Sequence, residues 1–308
     1  MKTLALLLIL ALHGTGLWSH VQASARAQIA TRASGIVTGT AVNTGQADYN
    51  PGPIRPLPVR ITTDTPALNT AAAIALDKDT ATVLYAKNAD IKRPIASITK
   101  LITALVILSR HNPADPITIP TLPTYPKEAE TIGLIPGDTF ALSDILEAAL
   151  VPSANDAADA LAIYDAGSVT KFAARMNAKM AEWGIEDTRF MSASGLQDDG
   201  NYASATSLAK IANLAMNNPT LATIVKYTSI TISNSAGRTY NLSSTNELLA
   251  SGRFYGIKTG YTLAAGECFV GLTRVNGHEV ITVVLGADSR FGATNTLINW
   301  IGHSWQWL

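Results

Sequence analysis

The chain has 308 residues, of which 47% are hydrophobic and 15% charged, enough to bury a sizeable core in one large domain or two smaller ones. Lys plus Arg and Asp plus Glu each total 23, so the formal net charge is zero and no basic tract marks a nucleic-acid partner. The single cysteine, Cys268, excludes an intramolecular disulfide, and its place in the apolar run Cys268 to Leu272 reads as a buried structural thiol rather than a nucleophile.

Lys2, the apolar run Leu4 to Leu12 and the small residues around Ala23 and Ala25 have the layout of a secretory signal peptide over residues 1–25. The run is broken by His13 and Gly14, short of the roughly 20 apolar residues a spanning helix needs, so the expectation is export to the periplasm or extracellular cell envelope. Residues 26–66 are rich in Pro, Thr and Gly, with Pro51, Pro53, Pro56 and Pro58 close together, and read as a linker ahead of a folded domain over residues 67–308.

Ala71 to Leu76 and Ala81 to Lys87 are β-compatible runs around the polar turn Asp77 to Thr80. Ser97 then opens a helix that is apolar on nearly every face through Leu108 and stops near Asn112-Pro113, the pattern of a helix buried in the interior. Helical periodicity returns at Ser143 to Val151, Asp156 to Tyr164, Val169 to Trp183 and Ala205 to Asn217. Ile230 to Asn234 and Arg238 to Leu242 flank a turn. Phe254 starts a further β-compatible stretch ending at Lys258-Thr259-Gly260, and Cys268 to Val275 pairs with His278 to Leu285 across Asn276-Gly277. Thr294 to His303 is a final amphipathic helix. The expected fold class is α+β, an antiparallel sheet of about five strands flanked by helices, with a mainly helical lobe inserted between its N- and C-terminal strands.

Three short segments carry chemistry in this order: Ser97-Ile98-Thr99-Lys100, Ser153-Ala154-Asn155 and Lys258-Thr259-Gly260. The first sets a hydroxyl and an amine one turn apart on one helix face. For Lys100 to accept the Ser97 proton its pKa must fall from about 10.4 toward 7, roughly 4 kcal/mol of differential stabilisation, which burial and a second cation, Lys258, can supply. Ser153 and Asn155 lie in a tight interhelical link, where Ser153 can relay a proton to a leaving amine and the Asn155 amide can bind substrate and steady Lys100. Gly260 would let a substrate backbone approach the strand, with Thr259 and Lys258 placed to meet a carboxylate. No Gly-x-Ser-x-Gly elbow, His-Glu-x-x-His motif or nucleotide-binding glycine pattern is present. The histidines beyond the signal region, His111, His278 and His303, have no ligand spacing, so neither metal nor cofactor is expected.

These segments resemble the serine-type D-alanyl-D-alanine carboxypeptidases, the low-molecular-mass penicillin-binding proteins, over roughly Thr70 to Leu308. The resemblance extends through Ile95 to Leu101, Ser153 to Ala158, Ser194-Gly195-Leu196 and Gly256 to Thr262 with Ala265-Gly266. It implies that Ser97 attacks the penultimate D-alanine carbonyl of a peptidoglycan stem peptide, with Lys100 as base. It also implies that the amides of Ser97 and Tyr261 form the oxyanion hole, that Lys258 and Thr259 take the substrate carboxylate, and that β-lactam antibiotics inhibit by acylating Ser97. Two departures stand out. Family members often carry a further β-rich domain and an amphipathic anchoring tail, whereas this sequence stops at Trp305-Gln306-Trp307-Leu308, which leaves peripheral membrane or cell-wall association open. They also often place an arginine after the last strand, where this sequence has Ala293, with Arg290 offset nearby.

The alternative reading is a DD-endopeptidase acting on peptidoglycan cross-links. A β-lactamase ranks lower, because Glu182 and Glu186 begin no Glu-x-x-Asn-like segment and Ala154 replaces the aspartate of the middle motif. A catalytically silent peptidoglycan- or penicillin-binding module is disfavoured by the intact Ser97, Lys100, Ser153, Asn155 and Lys258.

Overall fold

The computed structural model describes residues 56–196 and 200–308; the expected signal peptide and most of the expected linker lie outside the described residues. In chain order the main elements are β1 (Pro58–Arg60), β2 (Thr70–Asp77), β3 (Val83–Lys87), α1 (Thr99–Leu108), α2 (Leu142–Leu150), α3 (Asn155–Ala166), α4 (Val169–Glu182), α5 (Ala205–Asn217), α6 (Pro219–Ile224), β4 (Ser229–Ser233), β5 (Thr239–Ser243), β6 (Phe254–Thr262), β7 (Gly266–Val275), β8 (His278–Ala287), α7 (Arg290–Ser304) and β9 (Trp305–Trp307). Five strands form one antiparallel sheet in the order β6-β7-β8-β2-β3, so strands from the two ends of the chain bracket the helical lobe as the sequence predicts.

Its inner strands β2, β7 and β8 are buried on both faces, which is why they read as continuous apolar runs. In β8, Ile281, Val283 and Leu285 face the helical lobe while Val280 and Val284 pack under α7 with Leu297, Ile298 and Ile301, the two-residue alternation of a pleated strand. The helix α1 is buried from Thr99 to Ile107, including Lys100 and Thr103, and packs against α2, α3, α4 and α5. The edge strand β6 packs against the 3₁₀ turn Ala96–Ile98 that leads into α1, and the cleft opens there.

Several boundaries differ from the sequence reading, each for a local reason. A 3₁₀ turn over Ala96–Ile98 precedes α1, so Ser97 lies just ahead of the α-helix rather than in it. The helix α1 closes at Leu108, short of Asn112-Pro113. The helix α7 begins at Arg290 because Ser289 caps it, its hydroxyl accepting from the Gly292 amide, four residues before the apolar periodicity becomes visible. The short helix α6 was not anticipated, although Asn218 at its N-cap followed by Pro219 is its signature. A ribbon of Pro116–Thr118 with Thr139–Ala141 and the pairing of β1 with β9 were also unforeseen, being three-residue strands too short for any periodicity to reveal. The latter pairing engages residues 58–60, within the stretch read as linker. No helix among the described residues is long and apolar enough to cross a membrane.

Candidate active site

The site begins with an unusual turn. Ala96 takes φ +48°, and its carbonyl accepts from the Thr99 hydroxyl at 2.8 Å. Gly195, at φ +74°, lies so close that a Cβ there would stand 2.1 Å from the Ala96 oxygen, so only glycine lets the Ser194-Gly195-Leu196 segment lie against the turn. The Ser97 hydroxyl is thereby presented at the mouth of a cleft of about 280 Å³ whose lining includes Ser153, Asn155, Thr259, Tyr261 and Arg290.

Lys100 lies immediately behind Ser97 and is fully buried. Its Nζ is 2.8 Å from Ser97 Oγ, 2.7 Å from Asn155 Oδ1 and 2.9 Å from the Ser194 carbonyl oxygen. The last two can only accept. An uncharged amine has two hydrogens and one lone pair, so donating both hydrogens to these oxygens leaves the lone pair aimed at the Ser97 hydroxyl. Burial brings the Lys100 pKa down to about 7, against the opposing charges of Asp159, Asp156 and Glu130. Of the two expected causes, burial acts and Lys258 is not among the influences on Lys100. Desolvation dominates at Lys100, and it is Lys258 that is held well below its ordinary value, by its own burial and then by the positive charges of Lys100 and Arg290.

Ser153 lies in the link between α2 and α3, while Asn155, read from the sequence as part of that link, is the first residue of α3. Ser153 adopts φ +69°, a conformation a serine seldom takes, which turns its hydroxyl toward Lys258 Nζ at 2.8 Å. Asn155 Nδ2 donates to the Glu130 carbonyl at 2.9 Å, which fixes which end of its amide faces Lys100. Lys258 also donates to the Thr259 carbonyl at 3.1 Å, and the Thr259 hydroxyl is 2.5 Å from that of Thr245.

The strand β6 continues two residues past Gly260 to Thr262, so the third motif sits within an edge strand rather than at its end. Gly260 also has a second purpose. A Cβ there would lie 2.9 Å from the Ile95 oxygen and 3.2 Å from the Ser97 nitrogen, so the lack of a side chain admits the turn that carries Ser97, and the residue also lines the cleft. Tyr261 is 56% exposed, and its backbone follows Gly260 along the cleft rim. Arg290, at the start of α7, donates to the Gly260 carbonyl at 2.9 Å and pairs with Glu267 at 3.3 Å.

The structure thus brings Ser97, Ser153, Asn155, Thr259, Gly260 and Tyr261 to the lining of one cleft, with Lys100 and Lys258 buried behind it and bonded to Ser97 and Ser153. The sequence reading gave no part to Thr245, to the Glu130 carbonyl or to Asp159, whose roles arise from chain crossings that leave no local pattern. Cys268 is buried with its thiol pKa raised by burial to about 11, as an inert packing residue should be. Among the described residues no group of three or more His, Cys, Asp or Glu is placed to hold a metal ion.

The family model described as D-alanyl-D-alanine carboxypeptidase matches residues 60–289. The D-alanyl-D-alanine carboxypeptidase DacF of Bacillus subtilis is 30% identical over 236 residues, covering 71% of this chain but only 57% of that longer protein. The D-alanyl-D-alanine endopeptidase of Escherichia coli is 31% identical, covering 78% of this chain and 79% of its own length. The crystal structure of the Streptomyces K15 DD-transpeptidase superposes with a TM-score of 0.70 at 31% identity, over 77% of this chain and 98% of that one. The chain belongs to the D-alanyl-D-alanine carboxypeptidase family of serine peptidases.

Proposed function

We propose that the protein hydrolyses the terminal D-Ala-D-Ala bond of peptidoglycan stem peptides through an acyl-enzyme on Ser97. The observation that carries this reading is Lys100: a buried amine whose hydrogens are taken by Asn155 and Ser194 and whose remaining position faces the Ser97 hydroxyl. Lys100 removes the Ser97 proton as Oγ attacks the penultimate carbonyl carbon. The backbone amides of Ser97 and Tyr261 bind the developing oxyanion, where one donor is typically worth about 3 kcal/mol of barrier. Ser153, bonded to Lys258, passes a proton to the leaving amine as the peptide bond breaks, and water then attacks the Ser97 ester to release the shortened peptide. A substrate carboxylate beside Thr259 restores the charged form of Lys258, because an anion offsets the desolvation that otherwise disfavours it.

A β-lactam supplies a strained amide at the same position and acylates Ser97. A fluorescent penicillin is expected to label the protein covalently and to leave Ser97→Ala unlabelled; labelling that survives the substitution overturns the nucleophile. Endopeptidase action on cross-links is the second reading. It is favoured by the engagement of Arg290 with Glu267 and Gly260, which leaves that guanidinium less available for a free carboxylate, and by the name of the Escherichia coli relative. Mass analysis after incubation with a pentapeptide stem and with a cross-linked dimer separates the two: free D-alanine marks the carboxypeptidase, separated monomers the endopeptidase. The reading includes export to the cell envelope, supported by the signal-like composition of residues 1–25.

A further inference from the structure

Asp159 stands one helical turn beyond Asn155 on α3, on the helix side that holds the base. It is 6% exposed, and its Oδ2 accepts a 2.9 Å hydrogen bond from the Tyr125 hydroxyl. Its Oδ1 is buried and takes no hydrogen bond from the described residues, an arrangement that leaves a carboxylate charge poorly neutralised. Tyr125 belongs to the segment that crosses over α3. A few residues on, the Glu130 carbonyl accepts from the Asn155 backbone and side chain, and the amides of Ile132, Gly133 and Leu134 donate to Asp156.

The charges around Lys100 can be assigned by element. The charges of Asp159 and Asp156 on α3 and of Glu130 on the crossing segment all favour its protonated form, and Asp159 is the largest of these influences. Lys258 lies across the cleft on β6. Around Asp159 the charged and titratable groups are Tyr125, Lys100 and Asp156. We propose that Asp159, fixed by Tyr125 and set one helical turn from the Asn155 that holds Lys100, is a positioning residue whose negative charge sustains Lys100 as the proton acceptor. Burial alone would weaken the amine as a proton acceptor, and a base is most effective when its proton affinity matches the working pH. Burial also raises the Asp159 pKa to about 6, while the Tyr125 hydrogen bond and Lys100 favour the carboxylate form.

The inference rests on Lys100 being the base, and the experiment separates the two claims. The second-order rate of penicillin acylation of the full chain is measured from acid to alkaline pH. In the wild type it should rise through about 7, since Lys100 must lose its proton to act. Asp159→Asn keeps the volume and the acceptor for Tyr125 but removes the charge. It should move the rise to lower pH by about one unit and lower the plateau several-fold, a combination that loosened packing does not produce. Tyr125→Phe withdraws the hydrogen bond that holds Asp159 ionised and should move the rise the same way by less. A rise that stays in place in both variants overturns the role of Asp159 alone. A wild-type rate without any such rise overturns the base itself, and the proposal with it. If Asp159→Asn does not fold, Tyr125→Phe decides by the same criterion.

Discussion

At Gly260 the lack of a side chain joins two parts of the chemistry that are remote in sequence. The glycine lies between a strand carrying Lys258 and Thr259 and a turn carrying Ser97, and the space where its Cβ would stand is bounded by the Ile95 oxygen and the Ser97 nitrogen. Its backbone is not in the left-handed region, so alanine there meets only these contacts and no conformational strain. The neighbouring atoms are backbone, and they can yield only by moving the turn that carries Ser97. Displacements of about 1 Å in a reacting group typically reduce rates on the order of a hundredfold. Gly260→Ala is therefore expected to fold with little loss of melting temperature while penicillin acylation falls by at least about tenfold. A variant that acylates at the wild-type rate would show that the turn has slack. Gly195 makes the same close approach from the other side but also needs φ +74°, so Gly195→Ala should lose stability as well as rate.

Asp156 does for the helical lobe what no single hydrogen bond could. From the first turn of α3 its carboxylate accepts from the backbone amides of Ile132, Gly133, Leu134 and Ala157, and so staples the 125–134 segment along one wall of the cleft. Replacing it by alanine strands several buried donors at once, each costing roughly 1–3 kcal/mol if nothing replaces the bond. Asp156→Ala should thus unfold at markedly lower urea, by about 3 kcal/mol overall, with acylation weakened because Glu130 no longer anchors Asn155. Retention of wild-type stability would mean that the segment is held elsewhere. The same elements show what the sequence can and cannot reveal. Ser97 and Lys100 were legible because helical spacing places them on one face, and the five strands because apolar runs and the Asn276-Gly277 turn mark them. The Ser153 hydroxyl was legible as a motif, but its pairing with Lys258 depends on a positive φ that no pattern announces. Thr245 and Asp159 were illegible because a threonine before a short turn and an aspartate inside a helix look like many others. Their meaning comes from a strand and a loop folded against them from elsewhere in the chain.

On the scale of the whole molecule, the two ends of the described chain close on each other away from the cleft. The strand β1 pairs with β9, Leu57 and Leu308 exchange backbone hydrogen bonds at 3.1 Å, and Ile61 donates to the Ser304 carbonyl at 2.8 Å. Trp307 fastens this ribbon to the sheet: its indole nitrogen donates to Asp77 Oδ2 at 2.7 Å, at the end of β2, and its ring stacks on His278 with centroids 4.8 Å apart, at the start of β8. None of these partners lines the catalytic cleft. Trp307→Ala removes the stacking and leaves the buried Asp77 without one of its donors, while the nearby Thr80 hydroxyl and amide continue to hold its other oxygen. Loss of a hydrogen bond to a charged group is worth about 1.5–3 kcal/mol and loss of an aromatic pair about 0.5–1.5 kcal/mol. A destabilisation of about 2–4 kcal/mol in urea unfolding is expected, with the acylation rate of the folded fraction unchanged. A fall in that rate at equal folded fraction would mean that the ribbon and the cleft are coupled through the sheet. The antiparallel order of β6-β7-β8-β2-β3 makes such coupling weak: the catalytic edge strand β6 is separated from β2 by two fully paired strands whose side chains are packed on both faces.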